Sequence, residues 1–239
     1  MHADKYGLLI NAAVSLAIAV VAIIVGIVVV RRQRTQRIRA ASIAFMLYWL
    51  ALALLYFFVS VRTVLGYFGF EQLDYVFFFV DNVFGGLMVA PAVFLFIYFL
   101  TTRRNLALGI SSIFIIVWAV WSIINITAGA ANYTLEFWYT EWEPSSELAR
   151  NIAIFGLYIP AAIAILGMNF ALIRAQTKLA RYRILLTSIS FLAALTTIIV
   201  DYLRPGPPWL RIIILIAALI GYFAYIPPRF ILNALESET

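Results

Sequence analysis

The chain has 239 residues, of which 65% are hydrophobic and only 12% are charged, and its mean hydropathy is +1.00. Soluble domains have close to half apolar and about a quarter charged residues, so this composition predicts a membrane protein. There is no cysteine, and the only histidine is His2. This argues against thiolate chemistry, a histidine-based catalytic triad and the common zinc, copper, haem and iron–sulfur sites. We therefore expect no enzyme, no metal and no cofactor.

Seven apolar segments are long enough to cross a membrane, at about 20 residues per spanning helix. They are residues 7–30, 40–65, 75–100, 106–126, 151–173, 184–203 and Trp209–Tyr225. The pattern predicts an all-α fold with seven transmembrane helices in a single domain, residues 1–239. Pro91 and Pro160 fall inside two of these helices. Because proline removes a backbone hydrogen bond, Pro91 predicts a kink near the middle of the third helix.

The charges predict the orientation of the helices, because basic loops stay on the cytoplasmic side of a membrane. Five arginines lie within the nine residues 31–39. Twelve of the seventeen lysines and arginines fall on the same side as this loop, and nine of the eleven acidic residues fall on the other. We therefore predict a multi-pass protein of the cell membrane with its N-terminus outside and its C-terminus in the cytoplasm.

The basic loops also predict a surface for anionic membrane lipids or an acidic partner protein. Its residues are Arg31, Arg32, Arg34, Arg37, Arg39, Arg174, Lys178, Arg181 and Arg183. In a soluble protein the net charge of +6 would suggest nucleic acid. Here the charge lies in short loops between apolar segments, so no nucleic-acid partner is expected.

A few polar and charged residues lie inside the predicted helices, where such groups are candidates for function. They are Arg62, Asp81, Asn82, Asp201 and Arg211, all towards the outer side. One hypothesis is a small vestibule, open to the outside, whose two acids and two arginines orient a polar ligand. The alternative is a pair of structural ion pairs, Arg62 with Asp81 and Asp201 with Arg204.

Two helix faces allow alternative interpretations. Trp118, Trp121 and Asn125 share one face, which suits either core packing or a lipid or pigment pocket. Small residues line one face of the first helix, at Ala12, Ser15, Ala19, Ala22 and Gly26. That face suits packing within the chain or a homodimer.

The acidic, aromatic loop 127–150 is expected to lie on the membrane or to cap the bundle.

The positions of the charged residues disfavour two functional classes. The inner half of the bundle has almost no ionisable side chains, whereas a proton or cation pump needs a chain of them across the membrane. A light-driven rhodopsin needs a lysine in its last helix for a Schiff base. The only lysines are Lys5 and Lys178, outside the predicted spans.

Several features are shared with a known family. They are Arg31-Arg32 after the first helix, Trp49 in the second, Pro91 with Phe94-Leu95-Phe96-Ile97-Tyr98 before Thr102-Arg103, Leu203 with Pro205, and Gly221 with Tyr222 in the last helix. In these the chain resembles the N-terminal seven-helix sensory region of some bacterial histidine kinases. The resemblance implies a sensor of an extracellular or membrane-borne signal. Because only a short tail follows the last helix, output through a partner protein is expected.

Two other functions remain open. One is a non-catalytic structural subunit of a larger membrane complex that holds lipid or pigment. The other is a transporter or channel, which is less favoured because the sequence shows no inverted repeat and seven spans do not divide into equal halves.

Overall fold

The computed structural model describes residues 6–32, 36–175, 177–203 and 208–236. Six helical stretches in this part of the chain are long and apolar enough to cross a membrane, and Trp209–Tyr225 is a shorter apolar helix. The predicted multi-span helical architecture is confirmed at this level. The helices are α1 (Tyr6–Arg32), α2 (Gln36–Phe68), α3 (Glu71–Leu87), α4 (Val89–Thr101), α5 (Arg104–Ala128), α6 (Glu147–Asn151), α7 (Ile159–Gly167), α8 (Ala171–Arg174), α9 (Lys178–Leu203), α10 (Pro208–Tyr225) and α11 (Arg229–Glu236).

The fold is all-α as predicted, and the loop between α5 and α6 adds a β-hairpin that the sequence analysis did not predict. Its strands, β1 (Ala130–Leu135) and β2 (Thr140–Pro144), pair antiparallel from Ala130 opposite Pro144 to Leu135 opposite Thr140. Aromatic and β-branched residues in both strands favour this structure. An isolated two-stranded hairpin is only marginally stable in water. The packing of this hairpin on the helices, described below, therefore matters for its stability.

The helical hydrogen-bond pattern is irregular just before both prolines, of which only Pro91 was predicted to disturb its helix. The third span is interrupted at Met88, between α3 and α4, one turn before Pro91. The fifth span contains a π-helical stretch, Ile152–Tyr158, that ends just before Pro160. Proline has no N–H to donate to the carbonyl four residues earlier, so the helical hydrogen-bond pattern changes directly before it.

The spans form a bundle in which α2 is the central helix. It packs against α1, α3 and α4, while α10 lies between α9 and α1, and α7 contacts both α4 and α9. Aromatic rings join α2 to α9: the Tyr48 and Phe191 rings stack with centroids 3.7 Å apart, and Phe45 stacks on the same Phe191. A Cβ at Gly221 of α10 would meet Ser190 Oγ of α9 first and then the Phe45 and Trp49 rings of α2, so a side chain would not fit there without a shift.

The small-residue face of α1 is used within the chain. Ala12, Ser15, Ala19, Ala22 and Gly26 are buried, and the neighbours of α1 are α2 and α10. Small side chains let helix backbones approach closely, which is the main way helices associate in a membrane. This face therefore packs within the chain, as one of the two interpretations predicted, and a homodimer stays a prediction.

Candidate functional site

Arg62 on α2 binds two carboxylates of α3. Its Nε donates to Asp74 Oδ1 at 2.9 Å and its Nη1 donates to Asp81 Oδ2 at 2.7 Å, with all three residues buried. The Arg62–Asp81 pair was predicted. Asp74 falls just before the predicted span 75–100, but α3 begins at Glu71, so Asp74 lies in its first turn and is fully buried. Its seven-residue spacing from Asp81 puts both carboxylates on one helix face.

A second, partly buried ion pair joins α9 to α10. Arg211 Nε donates to Asp201 Oδ2 at 3.0 Å, and Arg211 Nη1 donates to Asn11 Oδ1 at 2.7 Å and to Ser15 Oγ at 3.2 Å. The expected partner of Asp201, Arg204, lies outside the described residues. The observed partner is Arg211, and its contacts tie the start of α10 to α1.

The hairpin caps the bundle at this end. Trp142 Nε1 donates to Asp74 Oδ2 at 3.1 Å, and Thr140 Oγ1 donates to Asp74 Oδ1 at 3.3 Å. The Thr140 carbonyl accepts a hydrogen bond from Arg62 Nη2 at 3.3 Å. On α1, Asn11 Nδ2 donates to the Trp138 carbonyl at 2.7 Å. Of the two expectations for this loop, the cap is the one observed.

A cavity of about 130 Å³ lies beneath the hairpin. All five polar residues singled out in the sequence line it: Arg62, Asp81, Asn82, Asp201 and Arg211. They come from α2, α3, α9 and α10. Asn82 Nδ2 donates to the Phe78 carbonyl at 2.7 Å and to Asp81 Oδ1 at 3.2 Å, which orients that carboxylate. The structure therefore brings together in one place the groups that the sequence placed on separate helices.

The walls of the cavity are aromatic and acidic. Tyr56, Phe78, Tyr139, Trp142 and Tyr158 line it. The hairpin adds a third acid to Asp81 and Asp201, Glu141, so the lining carries three carboxylates and two guanidinium groups. With Asp74 just outside the lining, the negative groups exceed the positive ones.

Burial changes the titration of two hairpin residues. The pKa of Glu141 is raised above its ordinary value, first because the side chain is half-buried and then because the carboxylate of Glu143 is close. Burial raises the pKa of the Tyr133 phenol to about 12, with the negative charges of Asp74 and Glu71 adding to the effect. The hairpin side of the cavity thus disfavours further negative charge.

The face formed by Trp118, Trp121 and Asn125 packs into the bundle. Trp118 Nε1 donates to the Val83 carbonyl at 2.7 Å, and both indoles lie against the Cα of Gly86, where a Cβ would clash. Trp121 and Asn125 are buried. None of these three residues lines the cavity under the hairpin. Core packing is therefore the role the geometry supports, and a lipid or pigment pocket here stays a prediction.

The described residues of the predicted basic surface lie at the end of the helices opposite the hairpin. Arg31, Arg39, Lys178 and Arg181 are exposed, whereas Arg183 is half-buried. Arg34 is outside the described residues, as are the side chains of Arg32, Arg37 and Arg174. In the part of the chain that the structure describes, no group of three or more histidine, cysteine, aspartate or glutamate residues is arranged to hold a metal ion.

Comparison of the chain with protein-family models, with curated proteins and with solved structures finds no match in any of the three. The class of the protein is therefore defined by its own fold and site. It is a multi-pass helical membrane protein with a polar, aromatic cavity under a β-hairpin at one end of the bundle.

Proposed function

We propose that this protein is a receptor-like sensor of the cell membrane, which binds a small polar ligand from outside and passes the signal to a partner protein. The observation that carries this proposal is the convergence of Arg62, Asp81, Asn82, Asp201 and Arg211 on one cavity. Charged groups are costly inside a membrane and are found mainly where they pair or serve a function. A cavity with a few convergent polar groups among aromatic walls is the usual form of a small-molecule site.

The proposed orientation places the cavity outside and all seven helices across the membrane. At 1.5 Å per residue, the 18 residues of α10 extend about 27 Å, close to the ~30 Å hydrocarbon core. An odd number of spans puts the two termini on opposite sides. The exposed basic residues at the end opposite the hairpin support a cytoplasmic position for that end.

The chemistry of the cavity favours a small organic cation. Its carboxylates outnumber its guanidinium groups, which favours a positive ligand. Aromatic rings attract a cation through their faces, and Arg62 already uses this contact, with Cζ 4.9 Å from the Phe78 ring centroid. Tyr139, Trp142 and Tyr158 remain as further aromatic walls. We infer that a primary or quaternary amine is the ligand class.

The route of the signal follows from the elements that meet at the cavity. Arg211 and Asp201 join α9, α10 and α1, so a ligand that favours one arrangement of these groups shifts the relative positions of those helices. The same α10 runs from the cavity to the opposite end of the bundle, where α11 follows. A cytoplasmic partner that contacts this end would detect the shift.

A thermal-shift screen of purified protein with primary amines, quaternary amines and matched carboxylates tests the proposal. Ligand binding to the folded state raises the melting temperature. We expect an amine to stabilise the wild type and Glu143→Gln, whose exposed side chain does not line the cavity, and to stabilise Glu141→Gln less. Stabilisation by carboxylates alone, or an equal amine response in both variants, would contradict a cation site.

One observation favours a second function, a structural subunit of a larger complex. The helix α5 exposes a long apolar face, with Ile113, Ile116, Val120 and Ile123 all exposed. Such a face suits lipid or a neighbouring membrane subunit. Purification from the native membrane in mild detergent separates the two functions. Stoichiometric membrane subunits that remain bound would favour the structural role, and a protein isolated alone would favour the receptor.

A further inference from the structure

A second cavity lies on the lateral surface of the bundle, between α2, α4 and α5. It shares no lining residue with the cavity under the hairpin. Its volume is about 210 Å³. The floor consists of small or buried residues, Ala44, Ala90 and Ser111. Its rims are exposed apolar side chains of α2 and α5, among them Leu47 and Leu108. It is therefore an apolar groove that opens towards the surroundings of the bundle.

One end of the groove is positively charged. Arg104, the first residue of α5, lines it, and no acidic side chain of the described residues does. The residue before it, Arg103, occupies the N-cap position without a side-chain hydrogen bond to the helix. The first backbone N–H groups of α5 therefore have no side-chain cap. Together with the Arg104 guanidinium they form a favourable place for an anion such as a phosphate.

The length of the groove matches one leaflet of a bilayer. Along α5 it extends from Arg104 to Ile115, eleven residues or about 16 Å at 1.5 Å per residue. Half of the ~30 Å hydrocarbon core is about 15 Å. An acyl chain held in the groove would therefore place its headgroup at the level of Arg104 and its end near the middle of the membrane.

We propose that this groove is a binding site for one anionic phospholipid, with an acyl chain between α2, α4 and α5 and the phosphate at Arg104 and the N-terminus of α5. The site does not depend on the ligand of the cavity under the hairpin. It is also distinct from the basic loops, because it combines one charged end with an apolar wall of matching length.

The test uses the full chain in mild detergent with phosphatidylglycerol or phosphatidylcholine added, with bound lipid measured by native mass spectrometry. We expect tighter binding of phosphatidylglycerol. Arg104→Gln should weaken it about fivefold, the effect of one basic residue near an anionic headgroup. Arg229→Gln, which removes another exposed arginine at the start of a helix, should have little effect. Leu108→Trp should fill the groove and reduce binding of both lipids, whereas Ile116→Trp, on an exposed part of the same helix, should not.

Three results would overturn the proposal. Equal losses in Arg104→Gln and Arg229→Gln would mean diffuse attraction of lipid to basic residues. Competition by inorganic phosphate, with no effect of Leu108→Trp, would mean a site for free phosphate. A second polypeptide that is bound in the wild type and displaced by Leu108→Trp, with no lipid retained, would mean that the groove is a protein interface.

Discussion

Arg62 and Asp81, nineteen residues apart in sequence, form a direct ion pair, with Nη1 and Oδ2 2.7 Å apart in a buried environment. The same guanidinium also binds Asp74, so one arginine neutralises part of the charge of two acids. The hairpin is attached to this cluster through Trp142 and Thr140, which both donate to Asp74. The stability of the hairpin end of the bundle and the position of its cap are therefore linked through Arg62.

Loss of the Asp81 charge tests this link. We expect Asp81→Asn to lower the free energy of unfolding by about 2 kcal/mol, the scale of a buried hydrogen bond to a charged group. The loss of stability should be limited, because Arg62 still forms its ion pair with Asp74. The double variant Asp81→Asn with Arg62→Gln should be less destabilised than the sum of the single variants. Unfolding in detergent with increasing denaturant measures all four proteins, and strict additivity would show that the two groups are not coupled.

Close packing of the hairpin on α2 gives a second prediction. The Cα of Gly66 lies against the Thr140 methyl group, so a Cβ at this position would displace the hairpin. Gly66→Ala should therefore destabilise the protein by about 1–3 kcal/mol, the usual cost of overpacking. Gly109→Ala, where a Cβ meets nothing, should be neutral or slightly stabilising. Hydrogen exchange of residues 130–144 should rise in the first variant only. An unchanged hairpin in Gly66→Ala would show that this contact is not required.

The raised pKa of Glu141 predicts a dependence of stability on pH. Because its pKa is higher in the folded protein, the folded state holds the proton more tightly. This contribution is fully present below the ordinary value of 4.5 and is lost as the pH rises through the folded pKa. Glu141→Gln should therefore melt at a higher temperature than the wild type at pH 7, and the difference should shrink towards pH 4.5. A constant difference across this range would assign the effect to packing.

The orientation of the spans can be tested with single cysteines, because the chain has none of its own. Tyr6 and Phe230 are exposed, and they lie at the beginning of α1 and in α11. With seven spans, Tyr6→Cys and Phe230→Cys should react with an impermeant thiol reagent from opposite sides of the membrane. Ser145→Cys, in the exposed segment after β2, should react from the same side as Tyr6→Cys. Labelling of Tyr6→Cys and Phe230→Cys from one side would mean that α10 does not cross the membrane.

Local pattern was enough to predict the helical elements and part of the site. Apolar length identified the spans, and Pro91 marked where the third of them becomes irregular. The Arg62–Asp81 pair could be predicted because both residues lie towards the same end of adjacent spans. These features depend on residues close in sequence or on spans that follow one another.

Contacts between distant parts of the chain were not predictable in this way. Arg211 reaches Asn11 and Ser15 across about 200 residues, and nothing in local periodicity specifies that α10 packs on α1. The hairpin was missed because its strands are short and its stabilising partners lie on other elements. In both cases the pairing depends on helix packing, which single-sequence patterns do not encode.

The central claim, a cation site open to the outside, is tested most directly by the accessibility of a cysteine inside the cavity. Val59 lines the cavity, and Phe57 on the same helix is exposed on the bundle surface. In Val59→Cys, a positively charged thiol reagent added outside should react much faster than a negatively charged one of similar size. A stabilising amine should slow this reaction, and Phe57→Cys should show neither effect. Equal or faster reaction of the negative reagent, or reaction from the cytoplasmic side only, would contradict the claim.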